Sequence, residues 1–187
     1  MLKKVFQRLP RETIAAAQTS APLQPVRPLS PAPAPAIPAP LAPVVKKKVL
    51  FLCIGNSCRS PIAEGLARHY GSDVLLAQSA GLAPFTHVDP LGIKVMQARN
   101  IDISRVFPKG PGDVDVQSFD LVVNMSGQKF RNAAVPIEDW AVPDPIGQDE
   151  AAFQRTADLL EQLVMRLILQ LRLKQHPHVR TDSGQRG

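Results

Sequence analysis

The chain has 187 residues and a formal net charge of +6, a length that accommodates one ordinary domain plus additional sequence. The excess charge lies in the flanks: residues 46–175 hold 15 basic and 14 acidic groups, with no motif that enters a nucleic-acid groove or stacks bases. No run of about 18 apolar residues is present, which excludes a membrane-spanning helix in this sequence.

The first 45 residues carry ten of the 19 prolines, in stretches such as Pro31-Ala-Pro-Ala-Pro-Ala-Ile-Pro-Ala-Pro40 that have neither helical nor strand periodicity. They are expected to form a disordered basic, Pro/Ala-rich arm before a folded domain at 46–175, with a flexible tail at 176–187. The arm's Pro-x-x-Pro-like spacing makes it a candidate partner ligand, although a solvated linker is the simpler reading. Residues 1–17 are basic and mildly amphipathic but lack the apolar core of a signal peptide; a transit peptide or a membrane-surface helix is the alternative to a solvated tail. Two cysteines are too few for a disulfide-stapled secreted scaffold, so the expected compartment is the cytoplasm. His69, His87, His176 and His178 complete no zinc-like spacing with them, and no metal site is expected.

Val49-Leu-Phe-Leu-Cys53 is a continuous apolar run, as a parallel strand buried on both faces requires. Gly55 and Asn56 break it, Ser60 can cap, and Pro61 suits a first helical position, predicting a helix from Pro61 to Tyr70. Val74–Gln78 reads as a second strand, and Asp89-Pro90 opens a helix lasting to about Arg99, with Asn100 as its stop. Residues 101–118 read as loop, Phe119–Asn124 as a third strand, Gln128–Ala133 as a short helix and Val135–Ile137 as a brief fourth strand, with Pro136 confining that strand to an edge or end. From Glu150 to Lys174, apolar residues at Phe153, Ala157, Leu160, Val164, Leu167 and Leu171 mark one face of a long helix. Strands alternating with helices predict a three-layer α/β domain with a four-stranded parallel sheet, whose functional loops lie at the strands' C-terminal ends.

Cys53 falls at such an end. The segment Cys53-Ile54-Gly55-Asn56-Ser57-Cys58-Arg59-Ser60 places a nucleophile and a cation on one short strand-to-helix loop. Such a loop can turn backbone N–H groups inward, and with the helix dipole these attract phosphate, arsenate or sulfate. The same positive field favours a thiolate at Cys53. Arg59 offers a planar fork matching two oxygens of the anion, and Ser60 can donate to the sulfur. A buried structural cysteine is the bland alternative for Cys53. A nucleotide-binding Walker loop is excluded because the Gly-Lys-Ser/Thr ending is missing. An acid must also protonate the leaving oxygen, and Asp144, stiffened between Pro143 and Pro145, is the candidate, although Asp between prolines is often only a turn residue.

The segment from Val49 to Pro61 resembles the signature of the low-molecular-weight protein tyrosine phosphatases and the related thioredoxin-coupled arsenate reductases, with a likeness covering roughly residues 47–173. The resemblance implies Cys53 as nucleophile, Arg59 as phosphate ligand, the loop 54–60 as phosphate cradle, Asn56 shaping that loop, Ser60 assisting the sulfur, Ser79 of Ser79-Ala-Gly81 holding Asn56, and Asp144 as general acid. It also implies that Cys58 can form a protective disulfide with Cys53. The resulting expectation is phosphomonoester hydrolysis of the protein-tyrosine-phosphatase type through phosphocysteine, on a phosphorylated protein or small aryl phosphate, with no cofactor. Two alternatives stand beside it: an arsenate reductase using an external thiol, and a non-catalytic phosphate-binding protein. Ile146-Gly147 follows Asp144-Pro145 where the phosphatases usually place an aromatic, leaving Phe85 or His87 as candidate cleft walls. Trp140 with Phe153, and Asn56-Ser57, look like the reductase branch, whereas Cys58 and Pro61 look phosphatase-like. Val122-Val-Asn-Met-Ser126 lacks the cysteines of an internal disulfide relay.

Overall fold

The computed structural model describes residues 45–132 and 134–175; the expectations for the arm and for the tail lie outside the described residues. In chain order the elements are β1 (Lys47–Cys53), α1 (Arg59–Tyr70), β2 (Leu75–Gly81), α2 (Pro90–Gln97), β3 (Leu121–Asn124), β4 (Ile137–Asp139) and α3 (Glu150–Gln175). The strands form one sheet in the order β2-β1-β3-β4, parallel throughout. All four therefore end on the same side of the domain.

The period of two along β1 divides its apolar run between two cores. Val49, Phe51 and Cys53 face α1, α2 and α3, in a cluster with Ile62, Leu66, Met96, Phe153, Leu160 and Val164. Leu50 and Leu52 face the opposite side, with Ala80, Phe119, Val122 and Val135. That third layer is built from loop and two single 3-10 turns, Pro111–Asp113 and Val116–Ser118, with Val114 and Val116 packed against the cluster. The expected four-stranded parallel α/β architecture is present, with its long helix on the predicted face: Phe153, Ala157, Leu160, Val164 and Leu167 are buried, and Leu171 is partly buried against the same cluster. No helix among the described residues is long and apolar enough to cross a membrane.

Local chemistry explains the boundaries. Asp89 caps α2 by accepting from the Leu91 amide at 2.9 Å. Asn100 takes φ of +60°, a conformation that asparagine tolerates better than most residues, as the chain turns back toward Ile101.

Three expectations need correction. Residues 128–132 are not helical; Asn124 and Ser126 hydrogen-bond the Gln128 backbone and hold that stretch as a turn. The fourth strand lies at Ile137–Asp139, beyond Pro136, because proline cannot donate to the ladder. α1 begins at Arg59, with Pro61 in its third position, and Cys58 stands at the cap without a side-chain bond. The Ser60 hydroxyl, expected to cap, points instead at Cys53.

Candidate active site

Between β1 and α1 the chain makes a tight loop whose carbonyls are bonded outward. The amides of Leu82, Ala83, Phe85 and Asp89 donate to the carbonyls of Cys53, Ile54, Gly55 and Ser57 at 2.8–3.0 Å. With the carbonyls so fixed, the amides of Ile54, Gly55, Asn56, Ser57 and Cys58 have no acceptor among the described residues. Asn56 sits at φ of +48°, which allows the reversal. Gly81, ending the neighbouring strand, permits the close approach: a Cβ there would lie 2.5 Å from the Asn56 nitrogen and 2.7 Å from the Ile54 oxygen.

A chain of buried polar side chains supports the loop from behind. Asn56 Nδ2 donates to Ser60 Oγ and to Ser79 Oγ, each at 2.9 Å. Ser79 donates to Glu64 Oε2 at 2.5 Å, and Asn56 Oδ1 accepts from the Lys109 amide at 2.9 Å. Ser60 Oγ lies 3.0 Å from Cys53 Sγ and 3.2 Å from the Ala80 carbonyl. Ser79 gives its proton to Glu64 and receives from Asn56; Ser60 likewise receives from Asn56, so its one proton has the Ala80 carbonyl and the Cys53 sulfur as its acceptors. Asn56, Ser60, Ser79 and Glu64 are all buried, so each would be costly unpaired.

Arg59 opens α1 and is buried. Its Nη1 donates to the carbonyls of Met125 at 2.7 Å and Val142 at 3.3 Å, its Nη2 pairs with Asp144 Oδ2, and its buried Nε has no partner among the described residues. Asn124 holds the Met125 turn: its side chain donates to Asp139 Oδ1 and the Gln128 carbonyl while its oxygen accepts from the Ser126 amide and hydroxyl. Asp144 keeps about a third of its side chain exposed, and Gln148 donates to its backbone carbonyl at 2.6 Å. Ordinary free cysteine character does not extend to Cys58. Burial first, then Asp89, pushes its thiol up to about 12, so it stays protonated at neutral pH.

The structure thus brings together Cys53, the loop 54–60, Ser79 and Asp144, all singled out from the sequence. Phe85 lies over Gly55 at the mouth of the loop and is half exposed. His87 is exposed and meets the loop through its carbonyl, which accepts from Ser57. Trp140 packs beneath the site, tilted against Phe51 with ring centroids 6.0 Å apart, and donates to Glu138. Sequence reasoning missed Glu64, because Glu64 and Arg68 four residues apart on a helix look like an exposed pair, and it missed the Asn124 clamp. Ser79 on the α1-facing side of β2 was the available cue to Glu64.

The chain is 31% identical over 130 residues to "Glutaredoxin arsenate reductase" of Synechocystis sp., covering 67% of this chain and 98% of that protein. A solved structure described as an arsenate reductase in the phosphate binding state superposes with a TM-score of 0.62 at 31% identity, covering 67% of this chain and 98% of the other. A low molecular weight protein tyrosine phosphatase from T. tengcongensis gives 0.60 at 28% identity, over 67% and 100%. The sequence profile of the low molecular weight phosphotyrosine protein phosphatases matches residues 48–177. With that profile spanning most of the chain and its signature loop folded as described, the protein belongs to the low molecular weight phosphotyrosine protein phosphatase family.

Proposed function

We propose that the protein processes a tetrahedral oxyanion through a covalent adduct on Cys53, and that the reaction is arsenate reduction completed by an external thiol. The observation that carries the oxyanion reading is the loop itself: five amides without an acceptor among the described residues lie in the one short loop between Cys53 and Arg59, whose buried Nε is also without a partner there. The Cys53 thiolate attacks arsenic, and Asp144 gives its proton to the departing hydroxyl, which leaves as water. An external thiol then attacks the Cys53 sulfur. The sulfur–arsenic bond breaks with its electron pair on arsenic, giving arsenite and a mixed disulfide. A second thiol frees Cys53, so two thiols become one disulfide as arsenic gains two electrons.

Two features favour this ending over hydrolysis. The curated relatives at 31–35% identity are named as arsenate reductases, while among solved structures the arsenate reductases at 27–32% overlap the tyrosine phosphatase at 28%. Exposed Ile146 offers no ring beside Asp144 to flank an aryl leaving group, which leaves Phe85 as the one candidate ring at the loop, and arsenate needs none. The thiol is external because the 187 residues hold two cysteines, and Cys58 is too weakly acidic to attack readily. Phosphomonoester hydrolysis through phosphocysteine is the second reading, supported by the 28% identity to the tyrosine phosphatase structure.

The test is to measure arsenite release with glutathione, and aryl phosphate hydrolysis, for the parent, Cys53→Ser and Asp144→Ala proteins. Thiol-dependent arsenite release is expected from the parent and none from Cys53→Ser, with about a 10²- to 10⁴-fold loss in Asp144→Ala. Aryl phosphate turnover without arsenite would replace reduction by hydrolysis. Unchanged activity of Cys53→Ser would sink both.

A further inference from the structure

Both side-chain ends of Asn56 connect to residues that line a cavity of about 500 Å³, one directly through Lys109 and the other through Ser79 to Glu64. One hold runs from Asn56 Nδ2 through Ser79 to Glu64, whose Oε1 accepts from Arg68 at 3.0 Å. The other is the Lys109 amide on Asn56 Oδ1; the Lys109 carbonyl in turn accepts from Gly81. Glu64, Arg68 and Lys109 all line this cavity, together with Arg105, Asp102 and Phe107.

The charges there are unevenly committed. Glu64 is buried and spent on Ser79 and Arg68, and Asp102 accepts from the Ser104 amide. Arg68 is well exposed beyond its pair. Neither Arg105 nor Lys109 forms an ion pair among the described residues; the Lys109 ammonium donates to the Phe107 carbonyl at 3.5 Å and sits 5.0 Å from the centre of the exposed Phe107 ring. Three cations line one concavity against the two carboxylates of Glu64 and Asp102, the latter facing the charge of Arg105, which leaves a net positive lining that favours a compact multiply charged anion.

We propose that this cavity is a second anion site, for a di- or triphosphate group held by Arg68, Arg105 and Lys109, and that its occupation is linked to the loop through Asn56. An anion drawing Arg68 away from Glu64, or Lys109 away from Phe107, acts on residues whose inner ends set the Asn56 side chain. The linkage is reciprocal: an oxyanion in the loop changes affinity at the cavity by the same factor.

The experiment uses the full chain labelled with ¹⁵N and follows backbone amide shifts. Inorganic phosphate should move amides of residues 54–60. Inorganic tripolyphosphate, and in a separate arm adenosine triphosphate, should in addition move Arg68, Arg105 and Lys109, and Arg105→Glu should weaken that second set at least tenfold. A response to tripolyphosphate alone identifies a free polyphosphate and a response to both identifies the shared group; either supports the site. Shifts confined to residues 54–60 in both arms would overturn it. The kinetic arm rests on the loop being the active site: saturating tripolyphosphate should change kcat at least twofold in the parent and not in Arg105→Glu. A purely competitive effect on KM would overturn the linkage. Failure of phosphate to move residues 54–60 would count against the active-site reading instead, so the two failures are distinguishable.

Discussion

The two ends of the sheet handle polar groups in opposite ways. At the C-terminal ends of the strands, Asn56, Arg59, Ser60, Glu64, Ser79, Asn124 and Ser126 are buried and tied to one another or to backbone. At the N-terminal ends, Lys47 pairs with Asp120 and Arg172 with Asp73, with each side chain between about 38% and 53% exposed. Buried polar chains lose water and hold one geometry, whereas exposed pairs are screened and contribute little. This fold thus spends its polar precision where a loop must hold its amides unbonded, and uses ordinary surface charge elsewhere.

Gly81→Ala strikes the buried end most directly. A single methyl has nowhere to go, since its neighbours at 2.5–2.8 Å are loop backbone. Activity is expected to fall about 100-fold or more, because an ångström of misplacement costs on that order. Stability should fall by about 1–3 kcal/mol, as for other overpacked sites. Full activity together with an unchanged melting midpoint would show that the loop does not depend on this approach. An alanine at Gly112, where a Cβ meets nothing within 4 Å, is the control on the opposite layer.

How much of this was legible without coordinates follows from which interactions are local. The β1 run, the Asp89 cap and the α3 face are set by neighbours in sequence, and each folds as read. Cys53, Arg59 and Ser60 share one loop and were found together. Gly81 and Asn56 are paired only by the parallel register that aligns Cys53 with Gly81. Glu64 was hidden because its partner Ser79 lies 15 residues away on another element. The short helix expected at Gln128–Ala133 failed because Asn124, four residues upstream, captures the Gln128 carbonyl, a side-chain competition that periodicity cannot register.

Cys58 supplies a smaller effect at the same end. Its folded thiol is raised to about 12 against 9.0 when free. The unfolded chain therefore ionises first as pH rises, so the stability due to the neutral buried thiol is complete below pH 9 and is lost progressively up to about pH 12. Parent protein should lose melting temperature between pH 8 and 10.5 more steeply than Cys58→Ser. Parallel slopes would mean that the thiol is solvated in the fold.

The smallest effect belongs to the far end. Arg172 donates from Nε and Nη2 to the two Asp73 oxygens, each at 2.8 Å, and from Nη2 to the Tyr70 carbonyl, joining the last turns of α3 to the end of α1. The pair holds Asp73 below the usual carboxylate range, with the Arg172 hydrogen bonds as the main cause. Both groups remain in solvent, so Arg172→Ala is expected to cost no more than about 1 kcal/mol, a few degrees in melting midpoint. Activity should be unchanged, and the difference should shrink in high salt as exposed charges are screened. A loss of activity comparable to that of Gly81→Ala would mean that the end of α3 bears on the loop, and that the two ends of the sheet are not independent.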